Sequence, residues 1–380
     1  MSRTWQRWLP AAVVSVLIAA GALAGPLTAG AAVDLPDKTP AQVLAMIGES
    51  NVRALSGTLE QTSHLGLPEL PTSGSSAGAA SALELLTGSH TARVYLDGAT
   101  NVRIQVLDRL AERDVVRHGN DVWLYNSKDN TATHVTLPDV SMPRDAREPG
   151  DVQTPEQLAH RFLTMIDPGT KVTVTRDAEV AGRSAYDLVL TPRSTHTLVG
   201  SVSIAVDSET GLPLRVDVQA RGQKEPAFRL AFTALTLQKP DAGLFKFSPP
   251  PGAKVTEQKL PSLDSMREKM NSMREKMREK LGDAGSHSDH CKHSDHSKHG
   301  DHSKLRPTVV GSGWDAVIEL PADAVPSEMT SSKIFAQVTS AVDGGRLLST
   351  ALVNVLLTDD GRLFAGSVPL ERLQTAAAGQ

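Results

Sequence analysis

The stretch "SVSIAVDSETGLPLRVDVQA", residues 201–220, decides how the chain is read. Val202, Ile204 and Val206 alternate with small or polar residues, and Leu214 and Val216 resume the alternation after "DSETG" at 207–211. A period of two is the signature of a strand with one buried face, and a cluster of Asp, Ser, Thr and Gly between two such runs is a turn. The pattern repeats outward in both directions. Upstream lie "TARVYLD", "NVRIQVL", "DVWLYN", "THVTL", "KVTVT" and "AYDLVL"; downstream lies "AFRLAFTALTL". Asp97-Gly98, Gly119-Asn120, Asp129-Asn130 and Ala181-Gly182 punctuate them. The reading is a long antiparallel meander of roughly ten or eleven strands.

Helix signals interrupt the meander. "TPAQVLAMIGES" begins with Thr39 at the N-cap and Pro40 at the first helical position, and "TPEQLAHRFLTMID" repeats the device at Thr154 and Pro155. A further helix is predicted over 79–86. One sheet face collects Val94, Leu96, Val102, Ile104, Val106, Leu188, Leu190, Val202, Ile204, Val206, Leu214, Val216, Phe228, Leu230 and Phe232. A sheet that wide curls, because strands twist. If it closes, side chains fill it; if it stays open, the apolar face needs another cover, and a lipid chain would serve. Periodicity alone leaves both readings open.

Four segments carry a family resemblance: "ALSGTLEQTSHLGLPELP", "LLTGSHTARVYLDG", "DVVRHGNDVWLYNSKDNTATHVTLP" and "AVDSETGLPLRVDV" followed by "LFKFSPPPGAKV" at 244–255. Across residues 33–257 the chain resembles the LolA-like superfamily of exported lipid and lipoprotein carriers, which includes the N-terminal domain of the MucB/RseB regulators. The resemblance implies an α+β fold, an open antiparallel half-barrel under a helical lid, that holds acyl chains without covalent chemistry. It implies a lipid or lipoprotein acyl chain as partner, or, on the MucB/RseB side, lipid-controlled contact with a membrane-anchored anti-sigma factor. The apolar residues from Val94 to Leu230 named above are then the cleft candidates. Each buried methylene favours the cleft over water by about 0.8 kcal/mol, roughly 13 kcal/mol at most for a sixteen-carbon chain. A bilayer offers the same chain a similar gain, so loading and unloading can be nearly balanced.

The rest of the chain falls into three parts. Residues 1–32 read as a secretory signal peptide, with Arg3 and Arg7 before an apolar run and small residues at candidate cleavage sites. This places the mature protein outside the cytoplasmic membrane. With no cysteine near the cleavage sites, lipoprotein attachment is not expected. Residues 258–304 are repetitive. Leu263, Met266, Met270, Met273, Met277 and Leu281 form an apolar helical stripe. The tract after it sets His287, His290, His293, His296, His299 and His302 at intervals of three, with the lone Cys291 among them. Those residues can bind Zn²⁺, Ni²⁺ or Cu²⁺ weakly, although a hydrophilic linker explains them as well and no cofactor is required. An extracytoplasmic metal-binding protein is therefore one further alternative. Residues 305–380 read as a small α+β unit, with strands in "LRPTVVGSGWDAVIEL", a hairpin through Asp359-Asp360-Gly361 and a final helix in "PLERLQTAAA".

Several classes are excluded or left without support. A net charge of -4 and 4% aromatic residues offer neither a basic surface nor stacking platforms for nucleic acid. There is no Gly-x-Ser-x-Gly elbow, His-Glu-x-x-His or P-loop, and no enzyme is expected. "GSGWDA" at 311–316 imitates a dinucleotide fingerprint without the strand and helix units that such a fold needs. Trp123 and Tyr125 share one strand face and read as core.

Overall fold

The computed structural model describes residues 35–67, 88–107, 111–138, 168–259, 272, 307–325 and 333–379. The signal peptide, the helices expected at 79–86 and 154–167, the Met-rich stripe and the histidine tract with Cys291 lie outside the described residues.

The first domain is one twelve-stranded sheet. In chain order its strands are β1 (Ala54–Ser63), β2 (Gly88–Asp97), β3 (Asn101–Leu107), β4 (Glu112–His118), β5 (Asp121–Asn126), β6 (Thr131–Thr136), β7 (Thr170–Val180), β8 (Arg183–Pro192), β9 (Val199–Asp207), β10 (Pro213–Ala220), β11 (Phe228–Thr236) and β12 (Lys254–Lys259). Their spatial order is β12-β6-β5-β4-β3-β2-β1-β11-β10-β9-β8-β7. Two antiparallel meanders thus meet where β1 pairs β11. β7 and β12 are the two edges, so the sheet is open.

Two expectations need correction. The strands number twelve rather than ten or eleven, and the sheet is not wholly antiparallel, because β12 runs parallel to β6. The cause is the segment before it. A 3-10 turn at Ala242–Phe245 crosses the sheet against β3 and β4, with Phe245 buried and Leu244 O accepting from Arg103 Nη1 at 3.3 Å. Phe247 then packs on Trp123 and Tyr125, and the chain reaches the sheet edge running in the direction of β6.

Helix α1 (Pro40–Glu49) starts as expected at Thr39 and adds a capping box. Gln42 N donates to Thr39 Oγ1 at 3.3 Å, and Thr39 N donates to Gln42 Oε1 at 2.8 Å. Its Val43, Leu44, Met46 and Ile47 pack on Tyr186, Leu188, Ile204, Val206 and Val216. The helix sits close because the β9–β10 turn allows it. Gly211 has φ +72, and a Cβ there would lie 2.1 Å from Met46 O. Asp207, 1% exposed, holds that turn. It accepts from Arg183 Nε at 2.7 Å, Thr210 N at 2.9 Å and Thr210 Oγ1 at 2.5 Å. The same carboxylate keeps the Arg183 guanidinium above its usual range.

The C-terminal unit is a second, six-stranded sheet. It comprises β13 (Thr308–Val310), β14 (Val317–Leu320), β15 (Ser340–Val342), β16 (Gly345–Ser349), β17 (Asn354–Thr358) and β18 (Leu363–Gly366), with helices α2 (Lys333–Val338) and α3 (Leu370–Ala377). Val317, Leu356, Phe364, Val368 and Leu373 form its core beneath α3. The unit docks on the first domain through "GSGWDA" and two loops. Trp314 Nε1 donates to Thr170 Oγ1 at 2.8 Å, and Ser194 Oγ shares its proton between the Asp315 oxygens at 2.7 and 2.8 Å. Leu198 N donates to Ser367 O at 2.7 Å, and Ala351 N to Leu65 O at 2.9 Å. Trp314 and Leu352 pack against the cluster beneath α1.

Candidate functional site

Directly opposed residues in an antiparallel pair share a face, so the register assigns every side chain of the large sheet. One row runs Gly57–Val94–Ile104–Val115–Leu124–Thr133 across β1 to β6. A second runs Leu96–Val102–Arg117–Val122–Val135, and a third Ala92–Val106–Arg113–Asn126–Thr131. Leu59, Phe228, Leu230 and Phe232 join this face through β1 and β11, and Val216, Ile204, Leu188 and Val174 through β10 to β7. All fourteen residues from Val94 to Leu230 singled out in the sequence therefore occupy the face that carries α1, called here the inner face.

They do not occupy equivalent places on it. Leu188, Val202, Ile204, Val206, Leu214 and Val216 are each at most 7% exposed, in closed packing. Leu190 and Phe228 are half-buried against the same cluster. Val94 is buried and Leu230 half-buried in an adjoining cluster with Leu59 and Phe232. Leu96, Val102, Ile104 and Val106 lie beyond α1 and are half-buried. Beside them stand residues the sequence reading did not single out: Val115, Val122 and Val135, half-buried, and Leu124, 43% exposed. The inner face thus has a covered half on β7–β10 and, among the described residues, an uncovered aliphatic half on β2–β6.

A hollow marks the boundary. β10 and β11 pair only over Arg215–Val218 and Phe228–Ala231. Beyond that point they part, and a small hollow of about 20 Å³ is lined by Leu59, Pro213, Leu214, Arg215, Val216, Leu230 and Phe232. The end of the inner face nearest Phe228 and Val202 is closed by the C-terminal unit, whose Trp314 and Leu352 reach the covered cluster.

The outer face carries internally paired polar groups. Arg103 grips Asp114 through Nε at 3.1 Å and Nη2 at 2.5 Å, and Asp114 is 3% exposed. Burial pushes the Asp114 carboxyl above its ordinary range, with Arg103 opposing that shift. His134 stacks on Trp123 at 4.3 Å and contacts Asp121 at 2.9 Å and Glu257 at 3.0 Å. Trp123 and Tyr125 therefore belong to the outer face under Phe247. Among the described residues no three His, Cys, Asp or Glu side chains are placed to hold a metal ion, and no helix is long and apolar enough to cross a membrane.

The sequence model of the MucB/RseB N-terminal domain family matches residues 84–263, within the region whose quoted segments carry the resemblance. Comparison with curated proteins returns no match. Among solved structures, the MucA/MucB complex of Pseudomonas aeruginosa aligns at 16% identity with a TM-score of 0.39, covering 88% of this chain and 95% of that one. An uncharacterized conserved protein of Thermus thermophilus aligns at 13% identity and TM-score 0.33, covering 57% and 98%. A LolA superfamily protein of Nitrosomonas europaea aligns at 12% identity and TM-score 0.21, covering 56% and 99%.

Proposed function

We propose that the protein is an exported, non-catalytic binding protein that holds the acyl chain of a lipid or lipoprotein on the uncovered half of its inner face. The observation that carries this reading is the aliphatic floor of Leu96, Val102, Ile104, Val106, Val115, Val122 and Leu124, which lies beyond the reach of α1. Such a surface favours an alkyl chain by about 25 cal/mol per Å² removed from water, and binding needs no covalent step. Native mass spectrometry of the full chain isolated from its host tests the reading. Lipid adducts that survive metal chelation support it. A protein that is ligand-free and takes up no lipid from vesicles contradicts it.

A second reading is favoured by the family match, which is to the MucB/RseB domain. On that reading acyl occupancy controls contact with a membrane-anchored anti-sigma partner, and the C-terminal unit is well placed to respond because Trp314 and Leu352 touch the cluster beneath α1. A single-pass membrane protein that co-purifies with the chain and is released by added lipid would favour the regulator over the shuttle.

A further inference from the structure

The strap that ends in β12 is held unevenly. Its near end is anchored, with Phe245 buried and Phe247 packed on Trp123 and Tyr125. Its far end is not. Residues 254–258 of β12 are all exposed, so none of them anchors the strand by burial. β12 is also an edge, paired with β6 alone and in parallel, which is slightly weaker per residue than antiparallel pairing. A side-chain contact fastens it instead. His134 Nδ1 on β6 lies 3.0 Å from Glu257 Oε2 on β12, and the other ring nitrogen, Nε2, lies 2.9 Å from Asp121 Oδ1 on β5. The ring is withdrawn from water, stacked on Trp123 with 11° between the planes.

Both ring nitrogens therefore face carboxylate oxygens, which accept hydrogen bonds and, when ionised, have none to give. Only the imidazolium donates from both nitrogens; the neutral ring donates from one and turns a lone pair toward the other carboxylate. A positive ring over the indole face of Trp123 adds a cation–π attraction. We propose that protonated His134 is a pH-dependent clasp that fastens β12 to the rim of the large sheet, and that loss of the proton frees the far end of the strand. Closing the clasp satisfies the charged ring, so it is complete on the acid side of the titration and weakens as pH rises. Asp121 competes for the one remaining donor of the neutral ring, and it sits in the β5–β6 hairpin, whereas Glu257 sits on the edge strand. By register Lys254, Thr256 and Gln258 fall on the inner face, so the clasp governs the border of the uncovered half. The other charged groups around the ring are His118 on β4, opposite Asp121 and 3.0 Å from Asn101 Oδ1, the exposed Lys246 beside Phe247, and Lys259, opposite Thr136 in the row of Glu257; β6 adds none on this face.

The test is hydrogen-exchange mass spectrometry of the full chain at about pH 5.5 and about pH 8, either side of the ordinary histidine value of about 6.5. Deuterium uptake by the 248–259 peptide is compared with that of Glu257→Ala at the same pH, which cancels the intrinsic pH dependence of exchange. Wild type should exchange roughly two- to fivefold more slowly than the variant on the acid side, and at nearly the same rate on the alkaline side. The 199–220 peptide should be unchanged throughout. Asp121→Asn gives the neutral ring an amide that can donate to Nε2, so Nδ1–H stays on Glu257 and uptake should be slow at both pH values. His118→Gln should keep the wild-type pH dependence. A ratio of wild type to Glu257→Ala that does not change with pH, an Asp121→Asn protein as pH-sensitive as wild type, or loss of the effect in His118→Gln would each overturn the proposal.

Discussion

Replacing Gly211 by alanine tests how the covered half is built. The residue has φ +72, and its Cβ would meet Met46 O at 2.1 Å and Met46 C at 2.6 Å. Neither contact is tolerable, and both are with helix backbone, so side-chain rotation gives no relief. Left-handed backbone costs alanine about 1–2 kcal/mol. Moving α1 away from its bed then disturbs Val43, 0% exposed, together with Ala45, Met46 and Ile47, which adds about 1–3 kcal/mol of packing strain. The expected loss is about 2–5 kcal/mol in urea unfolding. Gly182→Ala is the matched control, because it has φ +74 with nothing within 4 Å of its Cβ, and it should show the backbone cost alone. Equal losses in the two variants would refute the claim that helix contact, rather than turn geometry, makes glycine necessary at 211.

Three more outcomes are expected. Arg103→Met leaves Asp114 buried and uncompensated and should cost about 3–5 kcal/mol in urea unfolding, whereas Arg103→Met with Asp114→Leu should recover most of it. Asp114 sets a pH dependence of definite sign. Its carboxyl lies above the ordinary value of 3.8 in the folded chain, so its contribution is full below that pH and declines as pH rises through the folded value. Measured across that window, wild type should lose stability relative to Asp114→Asn as pH increases. Leu124→Asp, at a position 43% exposed, should weaken acyl binding with little change in unfolding, while Leu188→Ala, at 1% exposure, should cost about 2–5 kcal/mol and leave binding near wild type.

The strands with clean alternation were legible because burial on one face imposes it. "SVSIAVD", "PLRVDVQ" and "NVRIQVL" all took the register their spacing predicts. Helix α1 was legible from Thr39 and Pro40. β12 was not, because an edge strand of sequence "KVTEQK" with Val255 46% exposed has no buried face to pattern. β4 was ambiguous for a different reason. Val115 and Val116 are adjacent, so alternation fits either phase, and only pairing with β3 and β5 puts Val115 and the two arginines inward. The division of the inner face into halves could not be read at all. Ile104 and Ile204 sit in the same alternation, and what distinguishes them is α1, Trp314 and Leu352 arriving from distant sequence to cover only the second.

The central claim is that β2–β6, and not the packed β7–β10 half, receives an alkyl chain. Methyl NMR of the full chain titrated with a nitroxide-labelled fatty acid tests it most directly. Saturable broadening at Ile104, Val115 and Leu124, with Leu188, Val206 and Leu214 unaffected, is the predicted result. Broadening centred on Leu188 and Val206, or none at any of these methyls, would contradict it.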